Sequence, residues 1–407
     1  MGNNSQPFAP KKRYVSLDAL RGFALMGICL ANYPEFSLYS FQTQSYIENM
    51  PSYSLDKVVK FLQYLFIDGK FYTIFSILFG IGFSIIIENA RQKGKNGFKI
   101  FYRRMFCLLV IGLLHLMFLW SGDILMLYAL MGMILPLFRN IKTSKLLNTA
   151  FLFLCLPYAV ELFRYTADIS LADYPYRAWW SLCAKYGITK DNFAFWLSDA
   201  KSYKEVFQFL IQGSAERMWE FVLSSRYFKV LGLFLIGFCI GKEKIYANLS
   251  AYKKLFKRLT LCLGIFGFIT SVFYAFANVG IINLEPLHLS FLYIISVYPL
   301  GIAYICIFAL LYMRYQDKKI WTTLAYPGRM ALTNYIMQSV FGIIIFYGIG
   351  FSLGNKVGLF TTELIALGVF IVEIIISGLW LKKFDFGPLE WAWRCFTYGK
   401  VFKIISK

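Results

Sequence analysis

Apolar residues in this chain come in long blocks, separated by short polar stretches in which lysine and arginine recur. A helix rises 1.5 Å per residue and must cross a hydrocarbon core about 30 Å thick, so a span needs about 20 mostly apolar residues. Ten such blocks predict ten spans, at 17–34, 71–89, 104–121, 123–138, 146–163, 228–242, 259–279, 288–312, 330–350 and 360–381. Basic clusters at 11–13, 91–104, 139–145, 242–258, 314–319 and 381–407 all fall on one side of this zigzag. The opposite connections, around 35–58, 121–123, 280–287 and 351–359, carry almost no Lys or Arg. Positively charged loops stay in the cytosol, which places both termini there.

Two stretches break the rhythm. VKFLQYLFI (59–67) is apolar but is cut off from the next block by Asp68-Gly69-Lys70, and it is expected to be a membrane-surface helix that turns at Gly69 and dives inward. Residues 164–227 are rich in Trp and Tyr and too polar to span, so they are expected to lie on the outer surface as amphipathic helices. The chain then divides into an N-terminal membrane half of five spans (1–163), an outer interfacial segment (164–227), a C-terminal membrane half of five spans (228–382) and a basic cytosolic tail with an interfacial helix (383–407). This five-plus-five division suits an internal repeat.

Composition sharpens the class. With 58% hydrophobic and 16% charged residues, the chain exposes too little polar surface for a soluble globule. The fold class is therefore all-α, a polytopic transmembrane helical bundle of about ten spans with outer-surface amphipathic helices. The net charge of +20 sits in topology signals between spans, and no nucleic-acid partner is expected. Eight cysteines are scattered without a CxxC spacing, which argues against a disulfide framework or a zinc site; no metal is expected. The polar start, MGNNSQPFAPKKRY, lacks the apolar core of a signal peptide and is read as a cytosolic tail.

Ionisable side chains at bilayer depth are costly and mark internal pairs or function. One group lies toward the outer side. His115, in GLLHLMFLWSGD, sits six residues below the outer turn, about 9 Å by helix rise. Asp123 opens the returning helix, where a carboxylate is placed to cap free N–H groups or to serve a reaction. Asp68, Lys70, Glu161 and His288 lie at similar depth. A second group lies toward the cytosol: Asp18 and Arg21, on one helix face; Arg329, after Pro327-Gly328 at the start of the ninth span; and Asn334 and Gln338 farther along that span. A helix start beside an arginine makes an anion site. The plainer readings stand beside these: an Asp18–Arg21 ion pair that only joins helices, a capping Asp123, an interhelical hydrogen bond at His115, an interfacial His288, Asn334 and Gln338 as interhelical ties, and Gly80 and Gly82 as close-packing positions.

LDALRGFALMGICLANYP, GKFYTIFSILFGIGF, RRMFCLLVIGLLHLMFLWSGDILMLYALMG and YPGRMALTNYIMQS with FGPLEWAWR resemble, in the same order, the YeiB-like family of bacterial integral membrane proteins. That family is similar in turn to a superfamily of transmembrane acyltransferases that includes heparan-α-glucosaminide N-acetyltransferase and bacterial sugar O-acetylating proteins, with the LDxLRG opening as the shared element. The resemblance implies a multi-pass protein of the bacterial cytoplasmic membrane, surrounded by lipid, with an oligomer allowed. It also implies transfer of an acyl group from cytosolic acyl-CoA (acetyl-CoA) to an extracytoplasmic, glycan-type or lipid-linked sugar acceptor, with a histidine taking part. On that basis His115 is expected to be the base and Asp123 its orienting carboxylate. Asp68 and Lys70 would bind the acceptor or the oxyanion, and Arg329, Arg21 and Asn334 would bind the CoA moiety. A secondary transporter or exporter of a small molecule is the alternative.

Overall fold

The computed structural model describes residues 14–92, 94 and 96–405; the KKR at 11–13 and the rest of the N-terminal tail, with Lys93, Lys95 and Lys407 of the basic clusters, lie outside the described residues. Seventeen α-helices follow one another: α1 (Val15–Phe36), α2 (Gln44–Glu48), α3 (Tyr53–Phe66), α4 (Lys70–Arg91), α5 (Gly97–Phe118), α6 (Leu125–Ile134), α7 (Thr143–Ala167), α8 (Asp173–Tyr186), α9 (Trp196–Asp199), α10 (Tyr203–Leu223), α11 (Arg226–Lys242), α12 (Lys253–Asn278), α13 (Pro286–Arg314), α14 (Lys319–Arg329), α15 (Ala331–Phe346), α16 (Leu359–Trp380) and α17 (Pro388–Tyr398). The only β-pairing among the described residues is an isolated bridge between Phe384 and Ile405.

Each of the ten apolar blocks lies in a helix. Seven stretches are long and apolar enough to cross a membrane by themselves: α1, α3 with α4, α5, α7, α12, α13 and α16. Two more form only as bent pairs, α10 with α11 at 67° and α14 with α15 at 76°. The last, α6, has ten α-helical residues and is prolonged by a 3₁₀ turn over Leu135–Phe138. The face where α1, α5, α7 and α12 begin and α4, α11 and α13 end carries Arg91, Lys242, Lys253 and Arg314; it is called the basic face here, and the other the far face.

The segment at 59–67 differs from expectation. Rather than lying flat, α3 runs on into α4 as one apolar stretch of 39 residues. It inserts along α12, with Phe61 on Phe276, Tyr64 on Tyr274 and Phe66 on Phe268 (ring centroids 5.1, 5.9 and 6.2 Å). The break between the helices does fall at Gly69, whose φ of +71° is left-handed and whose missing Cβ would lie 2.6 Å from Val297. The apolar face of α3 thus finds protein as well as lipid, which the sequence pattern could not distinguish from an interfacial rest.

Helices approach most closely where glycines remove side chains. A Cβ on Gly22 of α1 would stand 1.9 Å from the Leu324 carbonyl oxygen, and one on Gly328 of α14 would stand 1.8 Å from that of Asp18. The LDALRG and YPGRM blocks therefore meet backbone to backbone. Gly80 and Gly237 do the same between α4 and α11, each 2.0 Å by its absent Cβ from the partner's carbonyl oxygen. Gly82, expected to pack similarly, has nothing within 4 Å and opens onto an internal cavity instead. At the far face Asp56, fully buried in α3, caps α16 by accepting the Phe360 N–H at 2.8 Å.

Residues 164–227 do not rest on a membrane surface alone. Trp179, Cys183, Leu197, Phe209 and Leu210 form a buried cluster with Phe36, Trp120, Phe346 and Tyr347, which closes α8–α10 over the far ends of α1, α5 and α15. The Tyr203 hydroxyl donates to the Phe118 carbonyl at 2.6 Å and Phe207 stacks on Phe118, so α10 is fastened to the end of α5.

Candidate functional site

One face of α1 is left unpacked along its length. Leu17, Asp18, Arg21, Ile28, Ala31, Asn32 and Glu35, which fall on one stripe of the helix, line a single cavity of about 1500 Å³, as Tyr14 does just before the helix. From Tyr14 to Glu35 the helix rises about 31 Å, the thickness of a hydrocarbon core. The facing wall is α4, from Phe71 to Asn89. The cavity exceeds the roughly 300–1,000 Å³ of ordinary ligand pockets, and its two ends differ in chemistry.

At the basic face the lining holds Arg21, Arg104, Arg329 and Arg394 together with Asp18, Asp385 and Glu390. Arg21 donates to Asp18 at 2.6 Å, so the ion-pair reading of these two holds, while both still face the cavity. Arg104 lies 3.6 Å over the Trp393 ring, and Arg329 donates to the Asp385 carbonyl at 3.3 Å. The helix-start anion site expected at Arg329 is already filled from within the chain. Arg329 ends α14 rather than opening the ninth span, Met330 carries the bend, and the Leu332 and Thr333 N–H groups at the start of α15 donate to Oε1 of Glu390 at 2.7 and 3.0 Å. Burial raises the Glu390 carboxyl above the usual carboxylate range, with the hydrogen bonds from Thr333 and Leu332 opposing it.

Asn334 is not on the cavity. Its amide donates to Ser377 Oγ at 2.9 Å and to the Pro327 carbonyl at 3.4 Å, tying α15 to α16 and α14; it stands as an interhelical tie, not in reach of a cofactor. Gln338 likewise donates to Glu373 at 2.9 Å.

The far end of the cavity is lined by Glu35, Asp68, Trp120, Gly122, Arg217, Glu220, Arg226 and Lys229. Asp68 accepts from the Tyr274 hydroxyl at 2.8 Å. Lys70 is fully buried behind it, donating to the Tyr64 carbonyl at 2.6 Å with its ammonium 5.1 Å over the Tyr274 ring, so it reinforces the break before α4 and does not line the cavity. The expected convergence of the outer charges is partial. Glu161 pairs with Arg164 in a separate depression near Trp219, and His288 is exposed in the first turn of α13.

His115 lies in the last turn of α5 with its side chain fully buried. Its Nδ1 is 2.9 Å from Asp123 Oδ1 and its Nε2 is 2.8 Å from Ser339 Oγ. Where Asp123 is ionised it only accepts and Nδ1 carries the proton; a ring protonated at Nδ1 alone then leaves Nε2 to accept from the Ser339 hydroxyl. Asp123 also caps α6, Oδ2 accepting the Met126 N–H at 2.8 Å, so the capping and orienting readings are both met by one carboxylate. The turn that carries Asp123 is clamped by Arg217 of α10, which donates through Nε to the Asp123 carbonyl at 2.9 Å and through Nη2 to that of Gly122 while pairing with Glu220.

The imidazole is not itself on the cavity wall. Gly122, Ile124 and the rings of Trp120 and Tyr335 are, and those rings stand 6.3 and 5.2 Å from the imidazole centroid. His115 is thus one aromatic ring removed from the cavity. Arg217, Ser339 and Tyr335 were not among the sequence candidates. Arg217 fell in a segment too polar to count as membrane. Ser339 lies about 100° around α15 from the Asn334–Gln338 stripe, and only the register of α15 against α5 reveals it.

Fold and cavity together define a polytopic α-helical membrane protein with a long cavity beside α1. A family model described as "Protein of unknown function (DUF418)" matches residues 240–400. The chain is 30% identical to an "Uncharacterized 39.9 kDa protein in amylase 3'region" of Bacillus acidopullulyticus, over 98% of each chain. It is 29% identical to the uncharacterized protein YxaH of Bacillus subtilis (strain 168), over 97% of this chain and 96% of the other. With the uncharacterized protein YeiB of Escherichia coli (strain K12) the identity is 26%, over 97% and 99%. The chain belongs to this YeiB-like, DUF418-containing family.

Proposed function

We propose that the protein is a transmembrane acyltransferase of the bacterial cytoplasmic membrane, its basic face and both termini in the cytosol, that moves an acetyl group from acetyl-CoA to a glycan-type acceptor on the far side. The observation that carries this reading is the single cavity lined by four arginines at one end and backed near the other by the His115–Asp123 pair. Arg21, Arg104, Arg329 and Arg394 receive the phosphates of the donor, bidentate partners for phosphate oxygens. The apolar middle, between Phe71, Leu78, Phe79 and Leu332, takes the pantetheine arm. The thioester then lies near Trp120, Gly122 and Tyr335. Transfer to a hydroxyl needs a base, and His115, its Nδ1–H held by Asp123, offers Nε2 for that role once the Tyr335 ring moves aside. Asp68, Arg217 and Glu220 bind the acceptor at the far end.

The test is binding. Acetyl-CoA at 100 times its dissociation constant stabilises the folded protein by about 2.7 kcal/mol, and its melting temperature in detergent should rise accordingly. Arg21→Gln combined with Arg394→Gln should remove that rise. A melting temperature indifferent to acetyl-CoA overturns the reading. A second reading, a secondary transporter, is favoured by the bent pairs α10–α11 and α14–α15, since broken helices beside a central cavity are how many transporters build substrate sites. Solute flux in proteoliposomes without any response to acyl-CoA would select it.

A further inference from the structure

Asp123, His115 and Ser339 form one directed chain of hydrogen bonds, carboxylate to Nδ1 at 2.9 Å and Nε2 to Oγ at 2.8 Å. A merely structural interhelical bond needs only one of these contacts. Here the carboxylate is further fixed by the Met126 N–H, and its peptide by the Arg217 guanidinium. With Nδ1 protonated, this arrangement leaves Nε2 placed to take a proton from the serine hydroxyl. One turn before Ser339 on α15, Tyr335 lines the cavity, its buried hydroxyl beside the Ile124 backbone at the start of α6. It lies within electrostatic reach of Asp123 and Arg217. The cavity also runs about 31 Å along α1 with its cationic end and its mixed-charge end well apart. A residue that takes over the acyl group near the far end lets the donor leave before the acceptor is engaged.

We propose that Ser339 is an acyl carrier, the nucleophile of an Asp123–His115–Ser339 relay that takes the acyl group from the thioester as an ester and passes it to the acceptor. This rests on the acyltransferase reading above and adds a covalent step to it. In the first half, Ser339 Oγ bonds to the thioester carbonyl carbon and the C–S bond breaks. The serine proton passes to His115 Nε2 and from there to the departing thiolate. In the second half, the acceptor hydroxyl gives its proton to Nε2 and its oxygen takes the acyl carbon, while Ser339 Oγ leaves and recovers that proton. No further reactant is consumed. Ser339 and His115 meet the donor when the Tyr335 ring swings off the cavity wall.

The experiment incubates the purified full-length protein with acetyl-CoA and no acceptor, quenches in acid, and reads the peptide containing residue 339 by mass spectrometry. An acetyl mass on Ser339 is expected, absent in Ser339→Ala and formed about 100-fold or more slowly in His115→Ala, the span of general-base effects. Ser339→Cys, with a similar side-chain volume, should carry the group as a thioester. Acetyl transfer to an acceptor with Ser339 unmodified in the wild type, or wild-type transfer by Ser339→Ala, overturns the carrier role and leaves the acyltransferase reading standing. Loss of acetyl-CoA binding itself would remove both.

Discussion

Removing the Arg217 side chain tests whether the polar segment between the two sets of spans builds the site or only covers it. Arg217 is buried, with 7% of its surface exposed, and its guanidinium supplies donors to two buried carbonyls, those of Gly122 and Asp123, besides pairing with Glu220. In Arg217→Ala both carbonyls lose their donor, and each orphaned buried acceptor costs about 1–3 kcal/mol. The sum, about 2–6 kcal/mol, agrees with the roughly 3–5 kcal/mol typical of breaking a buried charged contact. Arg217→Lys replaces a planar fork with one ammonium and should recover about half, because it cannot bridge two carbonyls and a carboxylate at once. Unfolding in mixed detergent and SDS, followed by tryptophan fluorescence, measures the change. Trp120 adjoins the Ser121–Ile124 turn, so its emission should also shift to the red in the alanine variant. A loss below about 1 kcal/mol with unchanged emission would mean that the turn holds Asp123 without help from α10, and the clamp argument fails.

Other expectations follow from contacts elsewhere. Gly328→Ala places a Cβ 1.8 Å from the Asp18 carbonyl oxygen, a clash that only backbone movement relieves. It should cost about 2 kcal/mol or more and weaken acetyl-CoA stabilisation by parting Arg329 from Arg21, which a thermal shift titration reads directly. Glu390 gives a pH signature with a definite sign. Burial raises its carboxyl in the folded protein, so its contribution is complete at acidic pH and is lost as pH rises through that raised value. As pH rises above the ordinary glutamate value of about 4.3, wild-type stability should fall relative to Glu390→Gln until the raised value is passed. A difference that grows in favour of the wild type would reverse the assignment.

Much of the fold was legible because apolar block length is a direct consequence of bilayer thickness, and helices answering all ten blocks are present. The charge alternation between them was equally plain. What escaped was whatever depends on how helices face one another. Asn334 was expected to reach the CoA moiety, with an interhelical tie as the plainer reading for it and for Gln338; the tie is what forms, but only the packing of α16 shows that Ser377 and Glu373 are the partners. The start of α15 read as an anion site, and Glu390, 58 residues from Leu332, fills it. Periodicity has no access to such a partner. His115 and Asp123 were recognised from their rarity and depth, and the structure joins them. Arg217 was passed over since its segment, taken without α11, is too polar to read as a span. Glu220, three residues on and so on the same helix face, was the available hint.

The brevity of α6 has a consequence for the surrounding lipid. Ten α-helical and four 3₁₀ residues climb only about 23 Å, several ångströms less than a usual hydrocarbon core. Leu130 and Leu137 on this helix are exposed to the outside of the bundle. Beside it the bilayer must dimple or the whole bundle must lean, at a cost of fractions of a kcal/mol per ångström. Acyl-chain length in the host membrane thereby bears on the tilt of the α5–α6 hairpin.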